Sequence, residues 1–285
     1  MLFLGAAAAL LASAMFNLGL ALQALEARKA SRSHDLRLSL LWQLLRRPRW
    51  LLGLVLDTVG IGPQVLALSL APFVVVQPLL AVGLLLLLAV GARVFDEPVG
   101  ALGFAGVLAI IAGVGLVAWD APAHSEAHRG GFAVLGVAAF LAVTSLLPFA
   151  LKRTPWDSAT MLMIAAGGGF AGTNVATKLL SDDLGQRHWL PAAGWAAFGL
   201  GLGVAATVTG MTAFQRRRAT IVVPVTTAVQ TFLPLLLEPL FLKERWGTAD
   251  YAGVPILVGI VIALVGTVLI TRTDAVADLA ASAQS

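Results

Sequence analysis

The 285-residue sequence contains no cysteine. Disulfides, thiolate metal sites, iron–sulfur clusters and a cysteine nucleophile are therefore excluded. Charge is also scarce, at 12% Asp, Glu, Lys and Arg, against about 25% in soluble domains. There is no GxxxxGK[ST] stretch, so ATP hydrolysis by a P-loop is excluded. All four histidines (His34, His124, His128, His188) fall outside the apolar runs. His124 and His128 flank Glu126 at i, i+4 spacing, which is a weak metal pattern and no more. No nucleophile–base pair stands out, and the sequence reads as that of a non-enzyme without a cofactor.

What is present in excess is apolar surface: 59% of residues are hydrophobic, against about 45–50% in soluble domains. One water-soluble core cannot hide that excess, whereas a bilayer can, at about 20 apolar residues per span. Apolar runs bounded by charge place nine spans at roughly 2–25, 50–70, 72–92, 99–119, 131–151, 157–179, 191–214, 219–242 and 250–271. Ala12-Ser13-Ala14 resembles a signal cleavage site, but no basic residue precedes the apolar run, which reaches Leu25 and reads as a retained helix.

The formal net charge of +4 and pI of about 10.1 do not point to nucleic acid, because the basic residues sit in short links between spans. Fourteen of the nineteen fall on one side: Arg28, Lys29, Arg32, Arg37, Arg46, Arg47, Arg49, Arg93, Lys152, Arg153, Arg216, Arg217, Arg218 and Arg272. By the positive-inside rule that side is cytoplasmic and the N-terminus external. The expected location is the cell inner membrane, with the bilayer and a small solute or cation as partners; the oligomeric state is left open. Residues 36–46 (LRLSLLWQLLR) have helical apolar spacing with Arg37 and Arg46 among them, so they are expected to lie on the inner surface as an amphipathic helix.

Phe104-Ala105-Gly106-Val107 recurs as Tyr251-Ala252-Gly253-Val254, 147 residues later, and Glu97 falls on Glu244 at the same offset. Asn17 matches Asn174 at a slightly different offset. Matched spans run in opposite directions. The expected fold is therefore all-α, nine transmembrane helices in a 4+5 inverted repeat. Residues 1–120 form the first repeat with a cytoplasmic amphipathic segment at 30–49, and 121–130 an external linker. Residues 131–271 hold the extra helix and second repeat, and 272–285 a disordered cytoplasmic tail. Inverted repeats of this kind occur in secondary transporters, with the solute site near the midplane between the halves.

An ionisable residue inside a span is a functional hypothesis by default. Asp57, about seven residues into the second span, is the foremost one and the proposed metal or proton ligand; a helix-packing aspartate is the plainer reading. Glu238, followed by Pro239, lies one turn inside the outer end of the eighth span. Asn17, Gln64, Gln77, Asn174, Thr226, Thr227 and Gln230 lie deeper and are expected to line a solute path, although amides and hydroxyls also serve as ordinary interhelical contacts. Pro78 and Pro224 fall at nearly equivalent repeat positions and are expected to act as hinges. The Arg216-Arg217-Arg218 run reads as a topology anchor.

Several stretches resemble the drug/metabolite transporter superfamily, and within it the NIPA-type magnesium transporters and the EamA-like branch. Ala71-Pro72-Phe73-Val74-Val75-Val76-Gln77-Pro78-Leu79 is similar to an APxxLVTPLG stretch, and Phe95-Asp96-Glu97 to an LkE ending. Asp120-Ala121-Pro122 is similar to the HAP that follows the family's fourth span. Gly172-Thr173-Asn174-Val175 through Lys178 is similar to GSxSVxxxK, and Val223-Pro224 through Leu242-Lys243-Glu244-Arg245-Trp246 to VxPxYYVxFT…FKEW. The resemblance implies a secondary transporter moving Mg2+ or another cation. The sequence departs from it where the family's GExxNF has its acid: here Gly60 is followed by Ile61, the asparagine place holds Gln64, and Asp57 lies one turn earlier. Thr226 and Thr227 replace the family's tyrosines. Export of an organic metabolite or drug is the alternative within transport; a non-transporting subunit or lipid-handling protein is the alternative of another class.

Overall fold

The computed structural model describes residues 2–31, 35–71, 73–94, 100–120, 131–241, 251 and 253–282. These form ten α-helices and, among the described residues, no strand. In order they are α1 (Leu2–Arg28), α2 (Leu38–Leu45), α3 (Pro48–Leu70), α4 (Phe73–Val94), α5 (Ala101–Trp119), α6 (Gly131–Ala150), α7 (Ala159–Gly185), α8 (Trp189–Arg216), α9 (Ala219–Phe241) and α10 (Val254–Ser282). Helices α1, α3, α5, α6, α7, α8 and α10 are long and apolar enough to cross a membrane, and α4 and α9 hold shorter apolar stretches, Pro78–Arg93 and Ala219–Pro234. The outer faces are apolar: Phe132 is 95% and Leu190 85% exposed. Water would not tolerate that coat on a folded monomer, and the chain is an all-α multi-pass membrane protein.

Local chemistry sets the helix ends. Pro48 occupies the first position of α3, where its missing N–H costs nothing. Ser158 caps α7 by accepting from the Met161 amide at 3.2 Å. Gly253 precedes α10 at φ 76°, a conformation that needs glycine. Its sequence counterpart Gly106 lies inside α5, so the repeated motif matches in letters and not in conformation. The backbone of α10 continues to Ser282, through the segment the sequence reads as a disordered tail; Ala275, Ala277, Leu279, Ala280 and Ala281 are strong helix formers there. The expected linker 121–130 and Glu97, Lys243, Glu244 and Arg245 lie outside the described residues.

Two sets of three helices pack alike. Helix α1 lies along α3 and against α4; α7 lies along α8 and against α9. Outside these sets, the most extensive contact is an antiparallel seam of α5 on α10. Built on Gly106, a Cβ would fall 2.6 Å from the Gly266 carbonyl, and built on Gly113, 2.5 Å from that of Gly259. The reverse holds for Gly266 and Gly259, at 2.5 and 2.6 Å. Such backbone approach is the usual basis of helix association where lipid removes the hydrophobic drive.

One large core cluster runs the height of the molecule, with two small ones beside it. At the end where α1 and α8 finish and α3, α7 and α9 begin, here called the arginine-rich end, it joins Ala27, Leu44 and Trp50 to Met163, Met211 and Phe214. The same cluster continues along α5 and α10 to the far end, through Val117 and Ile256, and two smaller clusters flank it there. Ala8, Ala9, Ala67, Ala71 and Val76 belong to α1, α3, α4 and the α3–α4 junction; Val134, Leu141, Ala171, Val175 and Leu179 belong to α6 and α7.

Candidate functional site

Asp57 lies in the groove between α1 and α3. The groove exists because glycines face each other where the helices cross: a Cβ on Gly53 would sit 2.6 Å from the Gly19 carbonyl, and one on Gly19 would collide with the Asp57 carboxylate. One turn beyond Gly19, on the same face of α1, Gln23 Nε2 donates to Asp57 Oδ2 at 2.5 Å. The other oxygen, Oδ1, is buried with no hydrogen-bond partner among the described residues. Gln23 is 4% exposed; it stands close to the charged end of its span, which hid it as a candidate.

Asn17 occupies a different face of α1, against α4. Ser13 Oγ donates to the Leu80 carbonyl at 2.6 Å, and Asn17 Nδ2 to the Ser13 carbonyl at 2.9 Å. Gly83 of α4 makes the room: a Cβ there would collide with both the Asn17 amide and the Ser13 hydroxyl. Asn17 is buried, and its Oδ1 has no partner among the described residues. Asp57 and Asn17 thus flank α1 on separate sides and do not form one constellation. Asn174, matched to Asn17 in sequence, is exposed on α7. Its neighbour Thr173 turns inward instead, donating to the carbonyls of Gly169 at 3.1 Å and Gly199 at 3.2 Å.

On α9, Thr226, Thr227 and Gln230 are half-buried, as is Gln64 on α3. Thr226 Oγ1 is buried without a partner among the described residues. Gln77 and Glu238 fall within α4 and α9, with side chains outside the described set. Pro78 lies inside α4, 3.6 Å from where a Cβ on Gly115 of α5 would be, and Pro224 is buried in α9. Ser145 of α6 is fully buried beside Gly169, its hydroxyl unpartnered among the described residues. Nothing in the sequence marks it among so many small residues.

A polar network closes the arginine-rich end. Arg216, the last residue of α8, donates to Asp157 Oδ1 at 2.5 Å and also to Asp35 Oδ2. Asp35 lies between α1 and α2, and Asp157 between α6 and α7. Lys152 Nζ donates to the Asp35 carbonyl, and the Leu36 amide to Thr212 Oγ1 at 3.2 Å. Trp50 Nε1 reaches Met211 Sδ at 3.4 Å, and Gln215 Nε2 the Ala30 carbonyl at 3.3 Å. Nearby, Arg47 pairs with Glu26 at 3.1 Å. The hydrogen bond from Arg216 holds the Asp157 carboxyl below its ordinary value; partial burial opposes this, and the Arg153 amide adds to it. Arg216 is therefore more than a charge that sets topology: it joins three links of the chain.

Chemically, the arrangement offers one membrane carboxylate held by an amide, a separate amide–hydroxyl pair, and hydroxyls on α9. Among the described residues no three acidic or histidine side chains gather as a metal cage would require. Comparison with known proteins finds no match among family models, curated proteins or solved structures.

Proposed function

We propose that the chain is a secondary transporter of the drug/metabolite transporter type, moving a small solute by alternating access between two inverted halves of a nine-span, 4+5 bundle. The N-terminus is external and the arginine-rich end cytoplasmic. The observation that carries this reading is the packing of two alike three-helix sets, with the α5–α10 seam beside them. Two halves packed alike are what a carrier built on a structural repeat has. The likeness of the α1, α3, α4 and α7, α8, α9 packing supports the repeat. In this reading Asp57 binds the coupling or transported cation. Gln64, Gln77, Asn17, Thr226, Thr227, Gln230 and Glu238 line the path, and Pro78 and Pro224 allow bending.

Mg2+ is the first cargo to test. It holds its waters tightly and asks for octahedral oxygen ligands, so a lone carboxylate such as Asp57 would meet it hydrated. The test is Mg2+ entry into indicator-loaded proteoliposomes, wild type beside Asp57→Asn. Entry that needs Asp57 supports the cation reading. Folded protein with no entry moves the reading to organic metabolite export, which the scarcity of acids around Asp57 favours. Orientation is tested separately: Ser125→Cys, a single thiol in a cysteine-free chain, should react with an impermeant maleimide from outside only.

A further inference from the structure

Helix α2 is apolar on two faces. Leu40 and Leu44 are fully buried in the shared core. Leu38, Trp42 and Leu45 recur at i, i+4 and i+7 on the other face, with Leu38 67% and Trp42 62% exposed. Arginines surround that outer face: Arg37 caps its start, Arg46 its end, and Arg49 stands in the first turn of α3, all three exposed. Arg46 holds its guanidinium 5.2 Å from the centre of the Trp42 ring, an arrangement that keeps cation and indole together. Arg47, by contrast, is taken up by Glu26. For Arg37, Arg46 and Arg49 no carboxylate lies within ion-pair distance among the described residues.

We infer that α2 and the first turn of α3 form a binding site for anionic phospholipid headgroups, with Trp42, Leu38 and Leu45 seated at the acyl boundary and Arg37, Arg46 and Arg49 on the phosphates. Two features choose lipid over a protein partner. Exposed apolar residues do not stop at α2: Leu51, Leu52 and Val55 follow in the first turns of α3. And only Arg46 and Arg47 separate the end of α2 from the start of the α3 span at Pro48, so α2 lies at headgroup level. Apolar side chains with an arginine fringe at that depth fit an anionic leaflet. The site stands whether or not the chain transports anything.

The test uses the full chain in detergent with equal phosphatidylglycerol and phosphatidylcholine, counting retained lipids by native mass spectrometry. Wild type should retain phosphatidylglycerol preferentially. Replacing Arg37, Arg46 and Arg49 by Gln should lower that preference roughly fivefold per arginine, while Arg187→Gln, at the far end, leaves it intact. Leu45→Cys carrying a polarity-sensitive dye should shift to the blue as phosphatidylglycerol is added to liposomes, and the shift should shrink with salt. A triple variant that keeps both the wild-type preference and the dye response would overturn the site. So would a wild type that shows no preference and whose α2 face instead mediates a dimer that the triple variant loses.

Discussion

Gly83 decides where Asn17 can be. A methyl group at Gly83 would strike the Asn17 amide and the Ser13 hydroxyl, and would lie 2.9 Å from the Ser13 carbonyl. Gly83→Ala is expected to destabilise by about 1–3 kcal/mol, as overpacking does. Adding Asn17→Ala should return part of the loss but not all, because the Ser13 backbone stays in the way. Thermal unfolding of the two single variants and the double variant checks this, and strict additivity would remove the contact from the account. At this scale the sequence is legible where a residue is rare. Asp57 stands out because an acid in a span is costly; Gln23, its partner, lies near the charged end of α1 and carries no such mark. Asn17 and Asn174 look equivalent on paper, yet one is buried and the other exposed. A helix turns 100° per residue, so a small difference in repeat offset changes the face an amide presents.

Helix pairing was only partly readable. Apolar runs located α1 and α3 to α10 to within a few residues over most of their length. The amphipathic segment appears as α2, from Leu38 to Leu45. Partners were not readable, because every span is apolar and the contacts are made by glycines. The seam between α5 and α10 is the clearest case. Its four glycines bring backbone onto backbone, and a carbonyl cannot move aside as a side-chain end can. Gly113→Ala and Gly259→Ala should each destabilise the purified protein, by about 1–3 kcal/mol. Gly136→Ala, where a Cβ would meet nothing within 4 Å, should leave the unfolding temperature unchanged or raise it, since alanine is the better helix former. A Gly113→Ala protein as stable as wild type would mean that the helices pack less closely than described.

Across the whole molecule, the α5–α10 seam runs the height of the core and the arginine-rich end is fastened by charge as well. Asp157 has its carboxyl held below its ordinary value near 3.8 by Arg216. A group whose pKa is lowered on folding contributes stability in full above its unfolded value and loses it as pH falls through the lowered one. The unfolding temperature should therefore drop as the protein is acidified below about pH 4. Arg216→Gln should start lower at neutral pH and fall less across the same window. If the two acid profiles run parallel, the clamp contributes nothing that titrates. The sequence announced the arginines through the positive-inside pattern. Their acidic partners, Asp35 and Asp157, are separated from Arg216 by 181 and 59 positions, and only folding brings them together.

The α5–α10 seam also bears on how the molecule is made. A ribosome delivers α5 to the membrane well before α10, with four helices synthesised between them. Until α10 arrives, the glycine face of α5 has no partner and meets only lipid or an insertion factor. The first half can form its α1, α3 and α4 contacts early, but α5 finds its principal partner last. Assembly of this protein is then governed by one late, non-local docking step, and variants of the seam should reveal themselves as slow maturation and early proteolysis in the cell before any loss of activity is measured.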